Sequence, residues 1–283
     1  MSIASIQSKY PNAVWYDSNH IGGTNSGTLD NPYTSLATAM TNATDSVAIL
    51  DGTHSEDASI DVPKDLVFVG ESLDAILSTT ESGVTYGDGM QCGGFSVTLE
   101  TLTFRNNGSS VLTVINPEVG GDVTIDSCKI EYGSNVLNYS SHQGLLGGAV
   151  GGDLIIKNSI LEIGAKQWGI LIGSHSNTGQ TFANITITGN TFITISGSTI
   201  ANISKLTTFT SSVWKNNIFI GQTGSEVLNF TPGTYKNNCF NNTALTSGGT
   251  DNLFQTDPEF VDSANGDYRL RPTSPCINAG TAS

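Results

Sequence analysis

The stretch "WKNNIF" (214–219) returns 21 positions later as "YKNNCF" (235–240). Weaker forms precede it: "LETLTF" (99–104), "IDSCKI" (125–130), "IKNSIL" (156–161) and "ITGNTF" (187–192). Measured from first position to first position, the steps are 26, 31, 31, 27 and 21 residues. Self-similarity of this kind constrains the fold more than any other feature, because each copy must adopt one supersecondary unit that leans on its neighbours. The period is too short for a propeller blade of about 40 residues, and a sandwich keeps no ladder of like residues.

Within a copy the first position is Leu99, Ile125, Ile156, Ile187, Trp214 or Tyr235, and the sixth is Phe104, Ile130, Leu161, Phe192, Phe219 or Phe240. Both are apolar throughout, so both are expected to face a core. The fourth position runs Leu102, Cys128, Ser159, Asn190, Asn217, Asn238. A small or amide residue between two apolar runs predicts a tight turn there, with Asn taking left-handed backbone geometry.

A second register follows each copy: "VLTVI" (111–115), "VLNYS" (136–140), "GILIG" (169–173), "IANIS" (200–204) and "VLNFT" (227–231). Period-two alternation marks these as strands and predicts an outward row of Thr113, Asn138, Leu171, Asn202 and Asn229. No copy has room for a ten-residue helix. The prediction is an all-β, right-handed parallel β-helix whose rungs satisfy one another's backbone groups about 4.8 Å apart. Its extent is set at 47–245, with an N-terminal cap over 1–46 and an irregular C-terminal cap over 246–283. In the first cap, Asn31 and Pro32 are expected to start a single helix that buries Leu36, Ala39 and Met40.

Charge narrows the partners. A net charge of −14 leaves no basic stripe for nucleic acid, and no apolar run of membrane-spanning length occurs. The first residues lack the basic and apolar regions of a secretory signal. Cys92, Cys128, Cys239 and Cys276 form no CxxC pair or metal-type cluster, so four reduced thiols are expected.

The segments "GTLDNPYTSLATAM" (27–40), "ILDGTH" (49–54), the Asn-turn copies and the terminal "DPEFVD…GDYRLRPTSPCINAG" together resemble the broad pectate-lyase-like family of right-handed β-helix proteins. The resemblance covers most of the chain and implies the fold. It implies no single activity, since the family spans lyases, hydrolases, epimerases, bacterial surface proteins and phage tail spikes. Pectate lyases use calcium-binding aspartates and an arginine base along one sheet. The outward row predicted here carries neither, so no family catalytic residue transfers to this sequence.

The candidate sites come from stacking the copies. Glu100, Asp126 and Lys157 are predicted to share an outward column continued by Thr188, Lys215 and Lys236. Arg105, Glu131 and Glu162 share another, in which two neighbouring carboxylates are compatible with glycosidase chemistry, while alternating charge is compatible with solvated ion pairs. Trp168, with Asn138, Asn202 and Asn229, is the candidate sugar-binding set. Glu56, Asp57 and Asp61 are the candidate calcium ligands; no other cofactor is implied. His20, His54, His142 and His175 read as polar surface residues. The functional expectation is a bacteriophage virion surface protein (tail spike, fibre or head decoration), structural and binding host glycans. The alternatives are a polysaccharide lyase or glycoside hydrolase, and a bacterial surface adhesin. An apolar stripe through Val111, Val136, Ile200 and Val227 leads to the expectation of a homotrimer, located on a virion surface or outside the cell among other virion proteins.

Overall fold

The computed structural model describes residues 1–80, 87–107, 111–116, 120–132, 144–146, 151–163, 170–172, 183–194, 210–221, 233–241 and 249–280. These form a parallel β-solenoid with two short helices, α1 (Ile3–Lys9) and α2 (Leu36–Asn42). Among the described residues the first sheet has nine strands: Val14–Tyr16, Ser46–Ile49, Leu66–Gly70, Val97–Glu100, Val123–Asp126, Leu154–Lys157, Asn184–Thr188, Ser211–Lys215 and Thr234–Lys236. The second has nine more: Gly52–Glu56, Ala75–Thr79, Thr103–Asn106, Lys129–Tyr132, Ile160–Ile163, Thr191–Thr194, Ile218–Ile220, Cys239–Phe240 and Leu253–Phe254. A third has five: Ile60–Asp61, Gly87–Gln91, Val111–Asn116, Gly144–Leu146 and Ile170–Ile172. At about 4.8 Å per rung the two long sheets run roughly 40 Å.

The register of the first two sheets is the one read from the repeat. Ile125 pairs with Leu99 and Ile156, which continues to Ile187, Trp214 and Tyr235. Ile130 pairs with Phe104 and Leu161, which continues to Phe192, Phe219 and Phe240. The ladder also extends past the six copies. Val47 and Phe68 occupy the first position upstream, and "GTDNLF" (249–254) supplies a further copy ending on Phe254. Inside the coil Phe192, Phe219, Phe240 and Phe254 stack with centroids 4.9, 4.9 and 5.4 Å apart. Such stacking adds to the burial of each ring.

The corner joining the first sheet to the second is two residues long, and its third and fourth positions divide the work. Left-handed backbone falls on the third position, at Thr101, Ser127, Asn158, Gly189, Asn216 and Asn237, with φ between 51 and 68°. The sequence reading placed it one residue late, on the fourth. The fourth residue instead points inward and is buried, because the left-handed step swings the chain so that the next side chain enters the coil.

The ends differ from expectation. Leu36, Ala39 and Met40 of α2 are buried in the core as predicted. The helix, however, starts after Ser35, whose side chain accepts from Thr38 N at 3.3 Å. Asn31 and Pro32 lie outside it because Tyr33 is held to the first strand, its N–H donating to Trp15 O at 2.8 Å. The helix α1, not foreseen from the sequence, is capped by Ser2 and carries Ile6 into a second small cluster with Trp15, Ala48 and Val69. The third sheet also departs from the reading. Strand Val111–Asn116 pairs with Gly144–Leu146, through Thr113 with Gly144 and Ile115 with Leu146, while the copy expected to continue it, 136–140, lies outside the described residues. Alternation with Val111 and Thr113 outward would put Ile115 outward too; Ile115 is fully buried, in one row with Met90 and Ile60. A register shift between Val111 and Thr113 breaks the simple alternation there.

Candidate functional site

The first sheet presents two parallel outward columns. One is Thr98, Thr124, Ile155, Thr186, Val213 and Thr234, all half-buried or exposed. The other is the predicted charged column, which the register confirms: Glu100, Asp126, Lys157, Thr188, Lys215, Lys236. Residues two apart on a strand share a face, so the columns lie side by side on one ribbon. Towards the N-terminus α1 covers this ribbon. Trp15, Ala48 and Val69, which precede Glu100 in the charged column, are buried beneath Ile6.

The covered part ends at Glu100, which is 6% exposed and receives Lys9 Nζ at 2.6 and 2.8 Å and Tyr10 Oη at 2.5 Å. Beyond it the face is open. Lys157 Nζ lies 3.1 Å from Asp126 Oδ2, and Lys236 Nζ lies 3.7 Å from Asp251. Burial pushes the Asp126 carboxyl up, but hydrogen bonds from Lys157 and Ser127 outweigh it and hold the group below the ordinary range. Lys215 and Lys236 stand on adjacent rungs. The open ribbon therefore offers hydroxyls and small apolar groups at a constant rung spacing, bordered by lysines.

The second candidate lies on the second sheet. Its register places Glu131 between Arg105 and Glu162, as the stacked copies predicted. Arg105 Nε donates to Glu131, while Lys129 Nζ reaches Glu131 Oε1 at 2.6 Å and Glu162 Oε1 at 3.1 Å. Lys129 was not singled out from sequence, although it sits two residues before Glu131 on the same strand and so on the same face. Tyr268 Oη from the C-terminal hairpin approaches Glu162 at 3.5 Å. Burial raises the Glu131 carboxyl, yet the hydrogen bonds from Arg105 and Lys129 prevail and hold it below the usual carboxylate value. A glycosidase acid needs the opposite shift. The geometry is that of an ion-pair ladder, each carboxylate neutralised by a cation on its own or a neighbouring rung.

The remaining candidates are dispersed. Glu56 accepts from Tyr16 Oη at 2.7 Å, Asp61 from Ser59 Oγ at 3.2 Å and Asp57 from Thr80 Oγ1 at 3.4 Å, each thereby engaged separately. Among the described residues no group of three or more His, Cys, Asp or Glu converges on a metal position. His54 is a correction: it is fully buried rather than at the surface. Its Nδ1 lies 3.1 Å from Ser18 N and its Nε2 2.8 Å from Leu50 O, which fixes the orientation of the ring against Tyr16. Trp168, Asn138, Asn202 and Asn229 lie outside the described residues, as do Val136, Ile200, Val227, His142 and His175. No family model matches the chain, and no curated protein matches it in sequence.

Proposed function

We propose that the chain is a right-handed member of the pectate-lyase-like parallel β-helix proteins and serves as a surface protein of a bacteriophage particle, its coil a scaffold and its open first-sheet ribbon a seat for a linear host glycan. The observation that carries the reading is the ribbon itself. A periodic array of Thr98, Thr124, Thr186 and Thr234, bordered by Lys157, Lys215 and Lys236, suits a polymer with its own regular repeat. Hydroxyls supply hydrogen bonds at each rung, and lysines favour a glycan that bears acid groups. The neutralised carboxylates around Lys129 favour binding over cleavage.

The test has two arms. Acidic and neutral polysaccharides are titrated against the chain and against Thr186→Glu, with product analysis in parallel; binding lost in the variant without chain shortening supports the seat. Shortened products instead assign a lyase or hydrolase, and no binding to any polysaccharide removes the glycan role. Mass spectrometry of purified phage particles from the source tests the virion assignment; recovery from a bacterial envelope fraction alone assigns an adhesin. The expected homotrimer belongs to the same proposal, and light scattering decides it: a mass near that of one 29.6 kDa chain, unchanged with concentration, would sink the trimer.

A further inference from the structure

Two asparagines in the chain are followed by glycine, Asn107 and Asn265. The structure sets them in opposite surroundings. Asn107 is tied to the preceding rung twice, its N–H donating to Thr79 O at 2.8 Å and its Nδ2 to Ser78 Oγ at 3.0 Å. Asn265 stands at the tip of the hairpin that joins the antiparallel strands Phe260–Asp262 and Asp267–Leu270, and residues 261–266 are all exposed. It ends a single 3₁₀ turn, Ser263–Asn265, closed by Gly266 N donating to Ser263 O at 3.2 Å. That long bond, of the poorer geometry usual in such turns, is what restrains the nitrogen of Gly266. Gly266 itself has left-handed backbone, with φ at 81°, and open space where a Cβ would stand. The Asn265 amide is held within the turn, its Nδ2 donating to Asp262 Oδ2 at 2.7 Å.

We propose that Asn265 is a self-modification site, which cyclises with Gly266, loses ammonia and leaves a carboxylate at the tip of the C-terminal hairpin. The turn opens, hydroxide takes the Gly266 N–H proton, and the freed nitrogen attacks Asn265 Cγ. The bond from Cγ to Nδ2 breaks, and that nitrogen leaves as ammonia with a proton from water, which restores the hydroxide. A cyclic imide remains. Water then opens it at either carbonyl, giving aspartate or its β-linked isomer. The sum is one water consumed and one ammonia released. Gly266 favours ring closure because it has no side chain to crowd the attacking nitrogen and its backbone turns freely. The product acts on the hairpin through charge. Asp262, which accepted from the amide, then faces a second carboxylate, with Asp267 opposite it across the hairpin. A contact that closed the turn becomes repulsive. The hairpin meets the coil just beyond this point, where Tyr268 Oη lies 3.5 Å from Glu162 and the Tyr268 ring packs edge-on against Phe260 at 5.4 Å. Conversion therefore loosens the hairpin from the second sheet.

The experiment incubates the full chain at mildly alkaline pH and maps its peptides over time. Position 265 should convert first, to a mixture of aspartate and isoaspartate, and hydroxylamine added midway should trap the imide and cleave the chain after it. Asn107 should convert about tenfold more slowly, because its two bonds to the preceding rung must open first. In denaturant the two rates should converge. Trypsin cleavage after Arg269, whose side chain is 81% exposed, should quicken in step with conversion. Asn265→Gln, whose longer side chain does not close the ring readily, should hold its starting cleavage rate over the same period. Asn265→Asp should show the faster rate from the outset. Conversion of Asn107 ahead of Asn265 in the native chain, or an Asn265 that stays unreacted, would overturn the site. Converted chain and Asn265→Asp that are both cleaved at the starting rate would overturn its action on the hairpin.

Discussion

The side-chain amide of Asn217 is saturated by its neighbours on two rungs. Its Nδ2 donates to Ile187 O at 2.9 Å and to Asn238 Oδ1 at 3.0 Å, and its Oδ1 accepts from Asn190 N and Nδ2 at 3.0 and 3.1 Å. Ser159, Asn190, Asn238 and Asn252 continue the chain of contacts in both directions. Replacement by leucine fits the buried space but leaves Asn190 N without its acceptor. Asn217→Leu is expected to lower stability by about 1–3 kcal/mol in chemical unfolding, the cost of an unsatisfied buried group. Asn217→Ser should fall in between, because Ser159 in the same column accepts from Cys128 N at 3.1 Å and donates within its own rung, to Lys157 O at 2.8 Å. The column was legible because its six members share one place in the repeat. The left-handed step was misread because "KNN" has asparagine at both corner positions; the copy "ITGNTF", with Gly189 ahead of Asn190, held the signal that separates them.

Between rungs, one cation of the second-sheet ladder ties two carboxylates together. Lys129 serves two carboxylates on adjacent strands, and both partners raise its pKa against the lowering effect of burial. Because these groups are partly solvated, the pairs contribute little individually, about 1 kcal/mol or less. Lys129→Met is expected to destabilise the chain at neutral pH, where Glu131 keeps only Arg105 and faces Glu162 without the cation between them, and less as acid protonates Glu131. The intact ladder behaves in the opposite sense. Glu131 is depressed in the folded state, so its contribution is present above the ordinary carboxylate value and is lost as pH falls through the folded one. Thermal melts of both proteins across the acid range should therefore converge. Backbone contact between rungs is just as restrictive. A Cβ on Gly152 would meet Gly121 O at 2.0 Å, so Gly152→Ala should force the two rungs apart and lower the melting temperature by several degrees, about 2 kcal/mol or more. Glu131, Glu162 and Arg105 could be read from the copies because each recurs at one offset. Lys129 could not, since its column otherwise holds Thr103, Ile160 and Thr191.

Taken whole, the coil is covered in two ways near its N-terminal end. At the N-terminal end α2 plugs the core while α1 lies outside, on the ribbon that further along stays open. Ile6→Ala should loosen α1, cost about 2 kcal/mol in stability and shift Trp15 emission to the red as water reaches the ring. Unchanged fluorescence would show that Lys9 and Tyr10 hold the helix without Ile6. Both helices are seven residues long; α2 was legible because Leu36, Ala39 and Met40 fall on one face, whereas α1 escaped the sequence because it buries Ile6 alone and so leaves no periodic pattern. The third sheet was harder still: a shifted register at Val111 and Thr113 erases the alternation on which a one-dimensional reading depends.

Parallel stacking also gives the molecule a direction in which it yields. The rungs are joined by hydrogen bonds that run along the coil axis, and every strand of the two long sheets points the same way across it. A pull on the two ends along that axis loads the bonds of one rung at a time, in series, so the terminal coil peels before the next carries load. In a single-molecule pulling experiment, extension should then lengthen in steps matching one coil, 21 to 31 residues for most rungs, or about 7 to 11 nm of released chain. A force applied across the axis must instead break the ladder contacts of several rungs together and should meet a much higher threshold.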